Sequence, residues 1–387
     1  MRIIYCDHNS TTRTDPRVAE ALREAAVEDF ANPSSAHRLG QRAHARLDEA
    51  RAAIAAFIGA KSSEIIFTGS GSEADNLAIL GALSSPDARG RHWVTVATEH
   101  HAVTETAAWT QRTGVEVTVL PVDHRGRLDP GLFARSLRSD TQVASVMLAN
   151  NEVGTVHPIA ELAGVAHEHG VIFHTDAVQA PGKIPVRVDE LGVDLLSLSA
   201  HKFYGPKGIG LLYVRQGTRL APILHGGGQE MGRRPGTENV PGAVGTAVAM
   251  RLLAENPGEP ARVAAIAANF RRLLVDQVAD IEFFGDPDHR LVNTVAAGFG
   301  GIDGGDLMIA LDLRGICVST GSACTSGARE PTHVLRAMNI ETHYANGSIR
   351  FSFGRESHPD DAAIIASAVA DEVTRLRSLV SKSAVKP

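Results

Sequence analysis

The chain has 387 residues, of which 43% are hydrophobic and 21% charged, with 37 glycines and a formal charge of −6. That length suffices for two domains, and the composition is that of an ordinary globular protein rather than a disordered or fibrous one. The acidic balance supplies no positive field for wrapping a polyanion, so no direct nucleic-acid binding is expected.

The opening stretch "MRIIYCDHNSTTRTDP" reaches Asp7 too early for a signal peptide or a membrane span, so no membrane association is expected and the cytoplasm is the expected location. Two helical patterns follow, "DPRVAEALREAA" and "HRLGQRAHARLDEARAAIAAFIG", the second with Leu39, Leu47, Ala50, Ile54 and Phe57 at helical spacing and Gly59 at its end. From about residue 60 to 215, β-rich runs alternate with helical patterns, which is the signature of a mainly parallel sheet. The expected strands are 64–68, 93–97, 115–120, 143–148, 171–175, 195–199 and 210–214, a seven-stranded sheet. After a helical run near 241–254 and the break "ENPGEP", a strand-like "LVNTVAAGF", a helix around "DLMIALDLRG" and a terminal helix bearing Ile365, Val369, Val373 and Leu376 describe a smaller α+β unit. The expected division is a large α/β domain over 16–251 and a small domain from 1–15 and 252–387.

Cys6, Cys317 and Cys324 are an odd number without CxxC spacing, which argues against a disulfide framework or a zinc site. The histidine-rich spots, His100-His101 and "HEHG", stand far from carboxylate partners, so no metal is expected. Cys317 sits among apolar neighbours in "LRGICVS" and is assigned to packing, as is Cys6. Cys324 sits in "STGSACTSG", whose small residues bury little and constrain the backbone little, so the segment of about 319–331 is expected to move.

Three motifs carry chemistry. In "FTGSGSEADN" a strand runs through glycines into a helix, where the N–H groups of Gly71 and Ser72 can cradle a phosphate; an ordinary strand-to-helix turn reads the same way. In "HTDAVQ" a strand ends on Asp176, which also suits a helix N-cap. In "SLSAHKFYGPKGIG" a buried strand leads to Lys202, which also suits a surface lysine at a loop entrance. In an open parallel sheet the C-terminal strand ends share one crevice, so the cradle, the carboxylate and the lysine face one space. Pyridoxal 5'-phosphate asks for this set: donors for its phosphate, an anion at its ring nitrogen and an amine for its aldehyde.

In chain order, "YCDHNSTTRTDPRV", "NPSSAH", "GSGSEADN", "TEHHAV", "ANNEVGT", "HTDAVQ", "SAHKFYGPKGIG", "HGGGQEMGRRPGTENV", "STGSACTSG" and "SIRFSFGR" resemble the cysteine desulfurases of the NifS/IscS type, class V aminotransferases with the pyridoxal phosphate fold type I. The resemblance implies that Lys202 is the Schiff-base lysine and proton shuttle, that His100 stacks on the cofactor ring, and that Asp176 pairs with its nitrogen. It further implies that Gln179 and Asn151 bond near the ring oxygen, and that Gly71, Ser72, Ser199 and His201 hold the phosphate. Thr237 would reach the phosphate of a second subunit in a homodimer, while Arg350 and Asn32 would take the substrate carboxylate. Cys324 would receive the sulfur of L-cysteine as a persulfide, releasing L-alanine, and pass it to an acceptor protein such as an Fe-S cluster scaffold. Ser72 stands where many relatives have threonine, Ser10 where alanine is frequent, and Cys6 where a larger apolar residue is usual; none of these removes a functional group. Selenocysteine lyase, an ordinary aminotransferase and a non-catalytic sulfur carrier are the alternative readings.

Overall fold

Runs of β-branched and aromatic residues between residues 65 and 214 pair into one sheet, as the alternating pattern predicts. The computed structural model describes residues 2–320 and 331–383, with side chains through Leu379. The strands in chain order are β1 (Ile4–Tyr5), β2 (Ile65–Thr68), β3 (His92–Val96), β4 (Glu116–Leu120), β5 (Thr141–Ser145), β6 (Ile172–Asp176), β7 (Leu195–Ser199), β8 (Gly210–Val214), β9 (Ile281–Phe283), β10 (Thr294–Phe299), β11 (Ile316–Cys317) and β12 (Ser348–Ser352).

The large sheet has the order β2-β8-β7-β6-β5-β3-β4, and all seven expected strands are in it with ends displaced by a few residues. Only β8 runs against its neighbours, β7 and β2. The parallel strands are joined through helices, whereas β7 and β8 are joined by the short connection that carries Lys202, and so short a link permits only an antiparallel return. Strands β3, β5, β7 and β8 are buried along their whole length, because helices cover both faces. β2 and β4 are the edge strands, and the exposed Glu116 of β4 discourages pairing with another chain.

A second, antiparallel sheet of order β12-β10-β9 packs beneath the helices Glu259–Gln277 and Asp361–Ser383, and β1 pairs with β11 beside it. Ile4, Cys6, Phe270, Phe351, Ile365 and Val369 share one core there, distinct from the core around the large sheet. Phe284, Val334 and Met338, all beyond residue 251, pack with the larger core. Gly59 and Gly170 take φ of 77° and 64° and close their helices in the left-handed conformation. Leu39 departs from its expected packing role and is 46% exposed, whereas the next residue, Gly40, is the one buried in the first turn of that helix. Cys6 is buried and Cys317 half-buried, both free thiols. Among the described residues no cluster could hold a metal, and no helix is long and apolar enough to cross a membrane.

Candidate active site

The C-terminal ends of β2, β6 and β7 open onto one cavity of about 460 Å³. Gly71, Ser72, His100, Asn151, Asp176, Gln179, Ser199, His201 and Lys202 all line it. At one end β2 feeds the helix Gly71–Leu83 through Ser70, whose Oγ accepts the Glu73 N–H at 3.1 Å. Glu73 reaches back to accept the Gly69 N–H at 2.7 Å and pairs with Arg234 at 2.9 Å. The turn is thus pinned from outside, and the first N–H groups of the helix face the cavity as an anion site. A Cβ on Gly71 would stand 3.0 Å from Val178 Cγ2 and 3.1 Å from Ser199 Cβ, so a side chain there would crowd the cradle. His201 closes this end with Nδ1 3.1 Å from Thr11 Oγ1.

At the other end Asp176 finishes β6, and its Oδ1 accepts the Val178 N–H at 2.8 Å. It caps a turn rather than a helix. Burial raises its carboxyl above the ordinary value, opposed by that hydrogen bond and by the charge of Lys202. Asp75, which the motif reading passed over, lies one turn into the helix and faces the same cavity; burial and the charge of Asp176 raise it too, against a hydrogen bond from Ser197. His100 caps the helix His101–Arg112, with Nδ1 accepting the Ala102 N–H at 3.1 Å. The neutral ring therefore carries its proton on Nε2. Burial first, then the charges of Lys202, His101 and His333, lower it to about 4.

Lys202 ends the turn after β7, and its Nζ donates to the carbonyls of Asn9 at 2.6 Å and Ser10 at 2.7 Å. Gln179 Nε2 donates to the same Asn9 carbonyl at 2.8 Å. Asn9 also donates from Nδ2 to Asn151 O at 3.1 Å and Thr294 Oγ1 at 2.8 Å. The segment "DHNSTT" is therefore the floor that ties lysine, glutamine and the smaller sheet together; its polar run is the signal that could have found Asn9.

Among the described residues, Arg350, Asn32 and Thr237 do not line the cavity. Arg350, on β12 and 3% exposed, donates to Asn151 O at 3.0 Å, Asp7 Oδ1 at 2.6 Å and Ser10 Oγ at 2.8 Å. Its Nε has no hydrogen-bond partner. Asn32 is exposed, with Oδ1 accepting the Ser34 N–H at 2.9 Å, and Thr237 is exposed as well. Cys324 lies outside the described residues.

Residues 4–364 match the sequence profile of the family described as Aminotransferase class-V. The chain belongs to the class-V aminotransferases. A cysteine desulfurase IscS from Dictyoglomus turgidum is 44% identical over 379 residues, 98% of this chain and 96% of that one. Among solved structures, a NifS-like protein shares 34% identity at a TM-score of 0.89, covering 97% of this chain and 100% of that one. SspA, solved in complex with cysteine, shares 34% identity at a TM-score of 0.81, covering 91% of this chain and 99% of that one.

Class-V aminotransferases of this group depend on pyridoxal phosphate, and the residues present fit it. The helix start that a Cβ would crowd suits the phosphate, a buried carboxyl suits the ring nitrogen, and the lysines that line the cavity among the described residues are Lys202 and the more exposed Lys207 at the rim. Lys202, tethered by two carbonyls, is the one whose amine is held in a fixed place.

Proposed function

We propose that this class-V aminotransferase is a cysteine desulfurase, which moves the sulfur of L-cysteine onto Cys324 as a persulfide and releases L-alanine. The convergence of Lys202, Asp176, His100 and Gln179 on one cavity carries the reading, supported by identity of 44% to a desulfurase over 98% of the chain. Bound pyridoxal phosphate supplies an electron sink conjugated to the substrate α-carbon. The N–H groups of Gly71 and Ser72, with Ser199 and His201, hold the phosphate. Asp176 would hold the ring nitrogen of that group through its carboxylate. Lys202 Nζ takes the α-proton and returns it, and the neutral His100 presents an Nε2–H to the substrate rather than a cation. Arg350 and Asn32 are assigned to the substrate carboxylate, Arg350 through a guanidinium edge that retains an unpartnered Nε. Asn151 steadies both the lysine floor and Arg350 through its carbonyl.

The Cys324 thiolate attacks the sulfur of the substrate. An S–S bond forms as the C–S bond breaks, and the carbon keeps the electron pair and takes a proton. Thr237 is assigned to the phosphate of a second subunit in a homodimer, the acceptor to a protein such as an Fe-S cluster scaffold, and the reaction to the cytoplasm. In the test, purified holoenzyme is yellow and yields one alanine per sulfur taken from L-cysteine. Cys324→Ala keeps the colour and loses alanine release in the absence of added thiol; native-rate release by that variant would refute the role of Cys324. Keto-acid-dependent amine transfer without sulfane sulfur would instead mark an ordinary aminotransferase.

A further inference from the structure

A second lysine stands behind the first. Lys183 lies four residues beyond Gln179, in the turn after β6, and its Nζ donates to Gln179 Oε1 at 2.7 Å and to Asn9 Oδ1 at 3.4 Å. Gln179 Nε2 points the other way, to the Asn9 carbonyl that also accepts from Lys202. An amide whose one end faces an amine and whose other end faces a carbonyl admits a single orientation; reversed, it would set oxygen against oxygen and N–H against N–H. Lys183 lies on the far side of Lys202, in a small cavity it shares with His8, Tyr204 and Glu259.

We propose that Lys183 is a positioning residue that locks the Gln179 amide, so that Gln179 offers a donor and not an acceptor to the pyridoxal phosphate site. The inference rests on the cofactor reading above and deepens it. Either protonation state of Lys183 leaves an N–H for Oε1, so the role survives the downward push of burial and of the charges on Lys202 and Arg350. The other charged or titratable groups facing this region are His8, which burial lowers to about 4, Tyr204, whose phenol burial pushes up, and Glu259, held by Arg355 at 2.7 Å. Lys202 itself is faced by Asp176, His100 and His201.

The visible absorbance of the holoenzyme reports a proton held beside the cofactor's ring oxygen. Removing a donor to that oxygen strengthens its hold on the proton, so the pH midpoint of the absorbance change rises. Lys183→Met keeps the side-chain length and removes the donor. Its expected effects are a midpoint higher by about one pH unit and a loss of roughly ten-fold in kcat/KM, the scale of one charge-assisted hydrogen bond. Lys183→Arg, which still donates, restores both. In a Gln179→Ala background Lys183→Met shifts the midpoint no further, because its effect passes through Gln179.

A Lys183→Met midpoint equal to the native one overturns the proposal, as does a full further shift in the Gln179→Ala background. If Lys183→Met does not fold, Lys183→Leu, which carries no donor, carries the same measurements. A native protein that takes up no pyridoxal phosphate and shows no visible band overturns the cofactor reading and this one together; a native band with unmoved variants overturns this one alone.

Discussion

Arg350 and Asp7 form an ion pair in which the guanidinium is almost wholly buried, with side-chain exposures of 3% and 19%. Removing one partner of such a pair leaves the other charge without compensation. Arg350→Ala is expected to cost about 3 kcal/mol in stability, read from the urea midpoint, and to raise KM for L-cysteine. A change in KM with an unchanged midpoint would show that Asp7 finds water instead. Ser10 enlarges this pair, since its hydroxyl donates to Asp7 and accepts from Arg350. His157 tests burial away from the site. It is 2% exposed, and neither ring nitrogen has a hydrogen-bond partner. Burial, helped by Arg127 and opposed by Asp123, lowers it from 6.5 to about 4. A depressed histidine lets the unfolded chain take up a proton that the folded chain refuses, so its contribution is whole above pH 6.5 and is lost as pH falls toward 4. His157→Leu lacks this loss. Its stability relative to the native protein is therefore expected to climb by up to about 3 kcal/mol between pH 7.5 and pH 4, and a pH-independent difference in calorimetry would refute it.

Between single residues and the whole chain, the decisive element is the junction of β2, the helix Gly71–Leu83 and β8. A Cβ on Gly210 would lie 2.3 Å from the Ser70 carbonyl oxygen, because the first residue of β8 passes directly beneath the helix cap. Gly210→Ala is expected to destabilise by about 1–3 kcal/mol through forced backbone movement. Gly71→Ala meets side chains rather than backbone, so it is expected to spare the fold and weaken cofactor uptake roughly ten-fold, measured by titrating apoprotein with pyridoxal phosphate. The strands themselves were legible, because buried parallel strands read as short β-branched runs between helical patterns. Their order was not, and neither was the reversal of β8, because pairing partners such as Ile65 and Tyr213 are distant in the sequence. The same limit divides the site. Asp176 and Lys202 stand at strand ends, where topology alone sends them to the crevice. Asp75 acts through Asp176 on a neighbouring strand, and Lys183 bridges Gln179 to the distant Asn9, so no local pattern marks either, whereas Asn9 itself stands in a polar run. Leu39 shows the converse, an apolar residue at the right spacing with nothing packed over it.

For the molecule as a whole, the open question is whether one chain makes a complete site. Thr237 is exposed and absent from the cavity lining, and the groove beside it is lined by Pro33, Ser34, Gln229 and Met231. Large apolar side chains stand out of the surface, among them Phe30 at 70%, Leu224 at 48% and Met231 at 53%. The proposed homodimer, with Thr237 serving the other subunit, would give such side chains a partner where they gather into one patch. If so, activity can be restored by mixing two inactive chains. Lys202→Ala removes the amine of its own site, and Thr237→Ala damages the phosphate site of its partner. In the mixed dimer, one site combines both defects, while the other pairs an intact Lys202 with an intact Thr237. Co-expressed, differently tagged variants purified as heterodimers are therefore expected to recover up to about half of the native activity per dimer, as the symmetry of a two-fold interface requires. A heterodimer no more active than the two separate homodimers would place Thr237 in its own subunit's site, or in none.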